Sequence, residues 1–322
     1  MMTAATVSRS LSPALTRRER VRWTDLAWLV WRQHRLLIVV TTIGVAIASA
    51  LYWWDATDVV HSNAYQVLAN VIVPAASGLV GVFWGAPLLA SEYEQRTHLV
   101  AWAQDTSPVR WMIAKFVLLG AVIAVLWAIL GAADSTFIHV VNGNGPMYSS
   151  LFGRWGMAGF ESWIPLQVIY ALFGFALGVA VSALVRRTVM AIGLTAVLFA
   201  GVRFAVLDWR PTFLPPLIAV LPPRGPTYSI DTGPGALQIG FGQTVDAAGN
   251  PISIPFDCYN IHTSTWSVPC ATAHGAVATY QDYQPASRLL PFHLIEFGIF
   301  AVLTAALIAF TVYRLRANRV AA

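Results

Sequence analysis

Residues capable of polar chemistry are scarce in this sequence and fall in three places. Between two apolar segments, residues 85–111 read GAPLLASEYEQRTHLVAWAQDTSPVRW, crowding Glu92, Glu94, Arg96, His98, Gln104, Asp105 and Arg110 into one short turn. Charges spaced this closely suit docking of a charged protein surface, with Trp102 as apolar anchor; charge sets register and a buried aromatic supplies binding energy. The plainer alternative is a solvated turn whose carboxylates cap helices. The second place is Arg203 and Glu296, each inside a long apolar run, where a charge costs about 2.5–3.5 kcal/mol on insertion scales. Their depths match, so either they pair across two segments or each snorkels independently to the nearer interface. The third place holds the only cysteines, Cys258 and Cys270. They suit a disulfide stabilising its loop by about 3 kcal/mol in the chain-entropy model. Metal ligation with His262 or His274 is the alternative, although no close Cys-x-x-Cys pair supports it.

Several chemistries are excluded. Lys115 is the sole lysine and lies at the head of an apolar run, so the chain has no Gly-x-x-x-x-Gly-Lys phosphate loop. There is also no His-Glu-x-x-His zinc motif and no Gly-x-Ser-x-Gly nucleophile elbow. No catalytic residue, cofactor or metal is expected.

The elements that carry these residues are membrane spans. Of 322 residues, 57% are hydrophobic and 11% charged, against about a quarter charged in a soluble domain. Six apolar segments reach the roughly 20 residues needed to cross a bilayer as a helix: 36–54, 67–90, 111–133, 163–185, 189–207 and 289–313. The alternating pattern of a barrel is absent. The expected fold is therefore an all-α integral membrane protein with six transmembrane helices.

Basic residues orient it. Arg9, Arg17, Arg18, Arg20, Arg22, Arg32 and Arg35 precede the first span; Arg96, Arg110 and Lys115 mark the hairpin; Arg186 and Arg187 separate spans four and five; Arg314, Arg316 and Arg319 follow the last. The opposite side carries Arg154, Arg210, Arg224 and Arg288. By the positive-inside rule both termini are cytoplasmic in a multi-pass protein of the cell membrane. The net charge of +5 then reflects topology, and no nucleic-acid partner is expected.

Four regions follow: a tail and helix over 1–35, five spans over 36–208 with a hairpin at about 91–110, an extracellular cap over 209–288, and a last span with a basic tail over 289–322. No cleavable signal peptide is expected ahead of residue 36. Trp23, Leu26, Ala27, Val30 and Trp31 share one helical stripe, which suits an amphipathic helix in the lipid interface or, more simply, a cytoplasmic extension of the first span. The cap is rich in Pro and Gly yet keeps many aromatics, which disordered linkers lack. Within it, 237–245 and 252–256 look like two strands joined across Ala-Ala-Gly-Asn-Pro. An oxidising outer face favours the disulfide there. Gly81-x-x-x-Gly85 and Gly174-x-x-x-Gly178 suit close helix approach, within the chain or between two copies.

Spans, termini and polar hairpin together resemble an ABC-2 type transporter permease. That family often shows Glu-Arg-Glu-x-Gly-Thr after the second span. Here Glu92, Glu94 and Thr97 match, while Tyr93 replaces the Arg and Arg96 the Gly. Gly85–Glu94, followed by Thr97-His98, Ala101-Trp102, Gln104 and Arg110-Trp111, is similar to a branch common in actinobacteria. The resemblance implies a coupling helix in the hairpin that docks on a separate ATP-binding subunit, with Glu92, Glu94, Arg96, Thr97 and Trp102 as contact residues. It also implies a second permease subunit, identical or paralogous, export of a substrate, and spans two and five lining the pathway. The rival reading is a non-transporting membrane anchor or sensor whose cap binds a ligand or an envelope component.

Overall fold

The computed structural model describes residues 22–57, 73–95, 108–143, 155–225, 235–261, 263 and 265–320. Its helices are α1 (Trp23–Thr57), α2 (Val73–Val80), α3 (Ala86–Glu94), α4 (Pro108–Gly143), α5 (Met157–Glu161), α6 (Ile164–Val185), α7 (Thr188–Trp209), α8 (Val268–Ala273) and α9 (Leu289–Val320). A π-helical turn, Gly81–Gly85, joins α2 to α3 without a break. Among the described residues, α1, α4, α6, α7 and α9 are each long and apolar enough to cross a membrane.

The expected second span is the exception. Its described part, 73–90, is helical throughout, but the π turn divides it into two short α-helices, the second running on to Glu94. Two further expectations change. No break separates an interfacial helix at 22–35 from the first span, because α1 runs straight through Arg35 and Leu36. Helix α4 overruns the expected 111–133 at both ends and α9 overruns 289–313 at its end; hydropathy marks where lipid-compatible sequence stops, not where backbone hydrogen bonding stops. The helical bundle with its five long apolar helices fits the expected all-α membrane protein; the sheet lies in the segment between α7 and α9, where strands were expected.

Helix α6 is the axis of the bundle. It is the most buried of the five candidate spans, and two apolar cores meet on it. One unites α1, α2, α3, α4 and α6 through Tyr52, Trp84, Leu119, Trp127, Phe137 and Phe175. The other unites α6, α7 and α9 through Tyr170, Phe173, Phe199, Phe292 and Phe300. Close approach of α6 to the π turn is set by glycine: a Cβ on Gly81 would lie 2.5 Å from the Gly174 carbonyl oxygen, and one on Gly85 2.5 Å from that of Phe175. The two small-residue motifs thus face each other within one chain.

At the other end of α7, β1 (Leu217–Leu221), β5 (Ala278–Gln284) and β2 (Leu237–Val245) form an antiparallel sheet in the order β1-β5-β2. Leu217 pairs with Tyr283, and Val245 with Ala278. Strand β2 is where expected, but its partner is β5; residues 252–256 form no strand, and only Val245 and Pro251 bridge across the turn. Asp246 explains that turn: its Oδ1 accepts from the amides of Ala248 (2.9 Å) and Asn250 (2.8 Å), with Gly249 at φ +82°. These amide donors, that of Asn250 foremost, hold the Asp246 carboxyl below the usual carboxylate range. A two-residue hairpin, β3 (Tyr259–Asn260) with β4 (Thr265–Trp266), and α8 complete the cap around Ile254, Cys258 and Ala271.

Candidate functional site

Two polar constellations sit at opposite ends of the bundle. At the hairpin end, α3 delivers Glu92 and Glu94 to different neighbours. Glu92 pairs with Lys115 on α4, a lysine with no exposed side-chain surface, which also lies 4.7 Å over the Trp111 ring. Glu94 reaches the start of α7: the Thr188 amide donates to its Oε1 at 3.0 Å and the Thr188 hydroxyl to its Oε2 at 2.7 Å. It thereby caps a helix whose own N-cap position, Arg187, offers no side-chain bond. Those donors, the hydroxyl first, hold the fully exposed carboxyl below the usual carboxylate range, so it is ionised at neutral pH.

Only Arg186 and Arg187 separate α6 from α7. Arg186 closes α6 in the left-handed region at φ 55°, a conformation costing a non-glycine residue roughly 1–2 kcal/mol. Its guanidinium lies 5.1 Å over the Tyr93 ring. Tyr93 thus steadies a strained turn. Arg96, Thr97 and Trp102 lie outside the described residues.

At the cap end, Arg203 and Glu296 are brought together, with Arg203 Nη1 to Glu296 Oε1 at 3.3 Å, inside a larger cluster than the sequence indicates. Arg203 Nη2 meets Glu161 Oε1 at 2.5 Å. Arg210 contributes Nε to Glu296 Oε2 at 2.8 Å and Nη2 to Glu296 Oε1 at 3.0 Å, with a longer 3.4 Å contact to Glu161. The Tyr170 hydroxyl donates to Glu296 Oε1 at 2.6 Å. Each guanidinium lies over a ring, Arg203 at 3.7 Å from Tyr170 and Arg210 at 3.9 Å from Phe160. All four charged side chains are at most 9% exposed. Two cations balance two anions, the condition under which buried charge is tolerated. Glu161 and Arg210 escape a sequence reading because both fall in the polar flanks of spans; only folding draws them inward.

Between the two ends runs an apolar cleft of about 490 Å³, walled by Gly78, Leu79 and Val82 on one side and Ala196, Phe199, Phe204 and Leu207 of α7 on the other. Arg203 lines it as well, so the cleft passes beside the charged cluster. A second cleft, of about 480 Å³, separates α1 from α2 and the π turn.

In the cap, Cys258 and Cys270 adjoin with a Cα–Cα distance of 5.5 Å, the spacing of a disulfide. Ligand atoms of Cys258, Cys270 and His274 all lie within 4.8 Å of one another, but sulfurs bonded to each other offer no thiolate to a metal. His262 lies outside the described residues.

Comparisons with known proteins bear on the helical part. The family model described as "ABC-2 membrane transporter related" matches residues 26–210, more than half of the chain, from the first helix to the arginine that closes the charged cluster. No curated protein and no solved structure matches the chain.

Proposed function

The chain belongs to the ABC-2 membrane transporter related family, and from that membership we propose that it is the permease subunit of an ATP-driven exporter, energised by a separate ATP-binding subunit. Six spans are counted by adding the expected second span, 67–90, to the five long helices, with both termini cytoplasmic and the sheet-containing cap outside. A second permease chain, identical or paralogous, completes the pathway, and the outward apolar faces of α1 and α7 meet lipid or that second chain. The chain itself is not an enzyme. Cys258 and Cys270 form a disulfide at the oxidising outer face.

The observation that carries this reading is the bond from Glu94 to Thr188. It fastens the hairpin, through a charged cap, to the first turn of the helix that walls the cleft. A partner pushing on residues 95–107 moves α3, and through Glu94 and Glu92 it moves α7 and α4. Nucleotide state is then read as a displacement of α7 against α2, because an ATPase that binds the two arrangements unequally shifts their populations. The cleft between α2 and α7 is the pathway in this scheme.

The test is affinity purification of the tagged full chain from its native membrane, with mass spectrometry of what remains bound. We expect a stoichiometric P-loop ATPase, and an ATPase rate that responds to the permease. Glu94→Ala should leave the partner bound but uncouple it, since the bonds it removes lie within the permease. If no ATPase appears even after crosslinking, the permease reading fails and the rival, a ligand-binding membrane sensor, takes its place.

A further inference from the structure

A second polar island lies apart from the arginine cluster, where α1, α4 and α6 meet. Tyr52, Asp134 and Gln167 are each 2% exposed amid Leu130, Ala133 and Phe137. Gln167 Nε2 donates to Asp134 Oδ2 at 2.6 Å. Beyond that bond, Asp134 Oδ1, Gln167 Oε1 and the Tyr52 hydroxyl have no partner among the described residues. No lysine, arginine or histidine pairs with Asp134 among them either.

The surrounding charges do not compensate. From α1 the titratable neighbour is Tyr52. From α5 it is Glu161, a like charge already neutralised by Arg203 and Arg210. Gln167, from α6, is neutral.

An ionised carboxylate in this position would be a buried anion with one amide donor and no cation, an arrangement in which desolvation goes uncompensated. It would also leave Gln167 Oε1, a second acceptor, without a donor. A neutral acid answers both deficits, because a carboxylic acid and a primary amide make a reciprocal pair: amide N–H to carbonyl oxygen, acid O–H to amide oxygen. One half of that pair is present, and the two atoms needed for the other half are unoccupied.

We propose that Asp134 is a proton-binding site, holding one proton on Oδ1 for donation to Gln167 Oε1 across the α4–α6 contact. The proton closes that contact, and its release leaves two acceptors opposed. Proton binding is thus coupled to how tightly α4 seats on α6. The inference stands independently of the ATPase partnership.

Infrared spectroscopy of the full-length protein in lipid nanodiscs at neutral pH tests it. The carbonyl stretch of a protonated carboxyl should be present, should shift in D2O, and should vanish in Asp134→Asn. In Gln167→Leu the band should persist but move to higher frequency, because both the amide donor to its carbonyl oxygen and the acceptor of its O–H are gone. Wild-type and Asp134→Asn spectra that superimpose in this region overturn the proposal. If Asp134→Asn does not fold, Gln167→Leu decides: an unshifted band overturns it equally.

Discussion

Glu296 receives bonds from Arg203, Arg210 and Tyr170, and that convergence determines how the cluster responds to substitution. Removing one partner of a buried ion pair costs about 3–5 kcal/mol, because the remaining charge stays buried. Arg203→Gln and Glu296→Gln should each lower the thermal unfolding midpoint in detergent. In an isolated pair, combining Arg203→Glu with Glu296→Arg would restore the midpoint. Here the new arginine faces Arg210 and the new glutamate faces Glu161, so the double variant should melt no higher than the worse single. A double variant that recovers would show that Arg203 and Glu296 act as an isolated pair. That pair was legible in the sequence, because both charges interrupt long apolar runs at similar depth. Glu161 and Arg210 were not, since a charge in a span flank looks solvated until tertiary packing draws it inward. The partners of Glu92 and Glu94 were hidden for a similar reason: a carboxylate's spacing shows that it can cap or pair, not which distant helix it will meet.

Helices here are positioned by what is missing from their surfaces. A Cβ on Gly178 would lie within 2.7 Å of the Ala86 amide nitrogen and 2.9 Å of the Gly85 carbonyl carbon, backbone that cannot rotate away. Gly178→Ala should therefore push α6 off the π turn, at a cost of about 1–3 kcal/mol, the range for overpacking. Gly193 on α7 has nothing within 4 Å of its Cβ position, so Gly193→Ala should leave the melting midpoint unchanged or raise it slightly, as Gly→Ala does at unstrained helical sites. Comparing the two in one thermal assay separates the effect of close approach from any general effect of replacing glycine. The paired four-residue glycine spacings announced this contact in the sequence. The π turn between them was not legible, because it arises from accommodating α6 and has no residue signature of its own. Nor was the sheet order. The turn at 246–250 marks only a local reversal, whereas β2 pairs with β5 across more than thirty residues, and such pairing leaves no short-range pattern.

Taken as a whole, the molecule joins an apolar bundle to a small cap with its own core, and the two should fail separately. The cap rests on Ile254, Ala271 and the Cys258–Cys270 link, so reduction, or Cys258→Ser with Cys270→Ser, should weaken the cap alone, by about 3 kcal/mol in the chain-entropy model. Limited proteolysis should then cut within residues 246–276 while the bundle's thermal midpoint holds; a matching drop in that midpoint would mean that the cap clamps the helices. The membrane class and the positions of the five long spans were readable from composition and apolar run length, and the presence of only two cysteines in the chain pointed to their pairing. The axial role of α6 was not, because hydropathy ranks spans by lipid solubility and says little about which one is surrounded by protein. The balance of the arginine cluster reaches furthest at this scale. Glu161, Glu296, Arg203 and Arg210 sum to zero, so the group can shift along the bundle normal without doing work against the membrane potential. Glu161→Gln would leave one unbalanced positive charge, worth about 2.3 kcal/mol per 100 mV if it crossed the whole field. In energised proteoliposomes, the wild-type turnover rate should ignore voltage where that of the variant responds to it. The expected electrical silence rests on four side chains whose charges cancel.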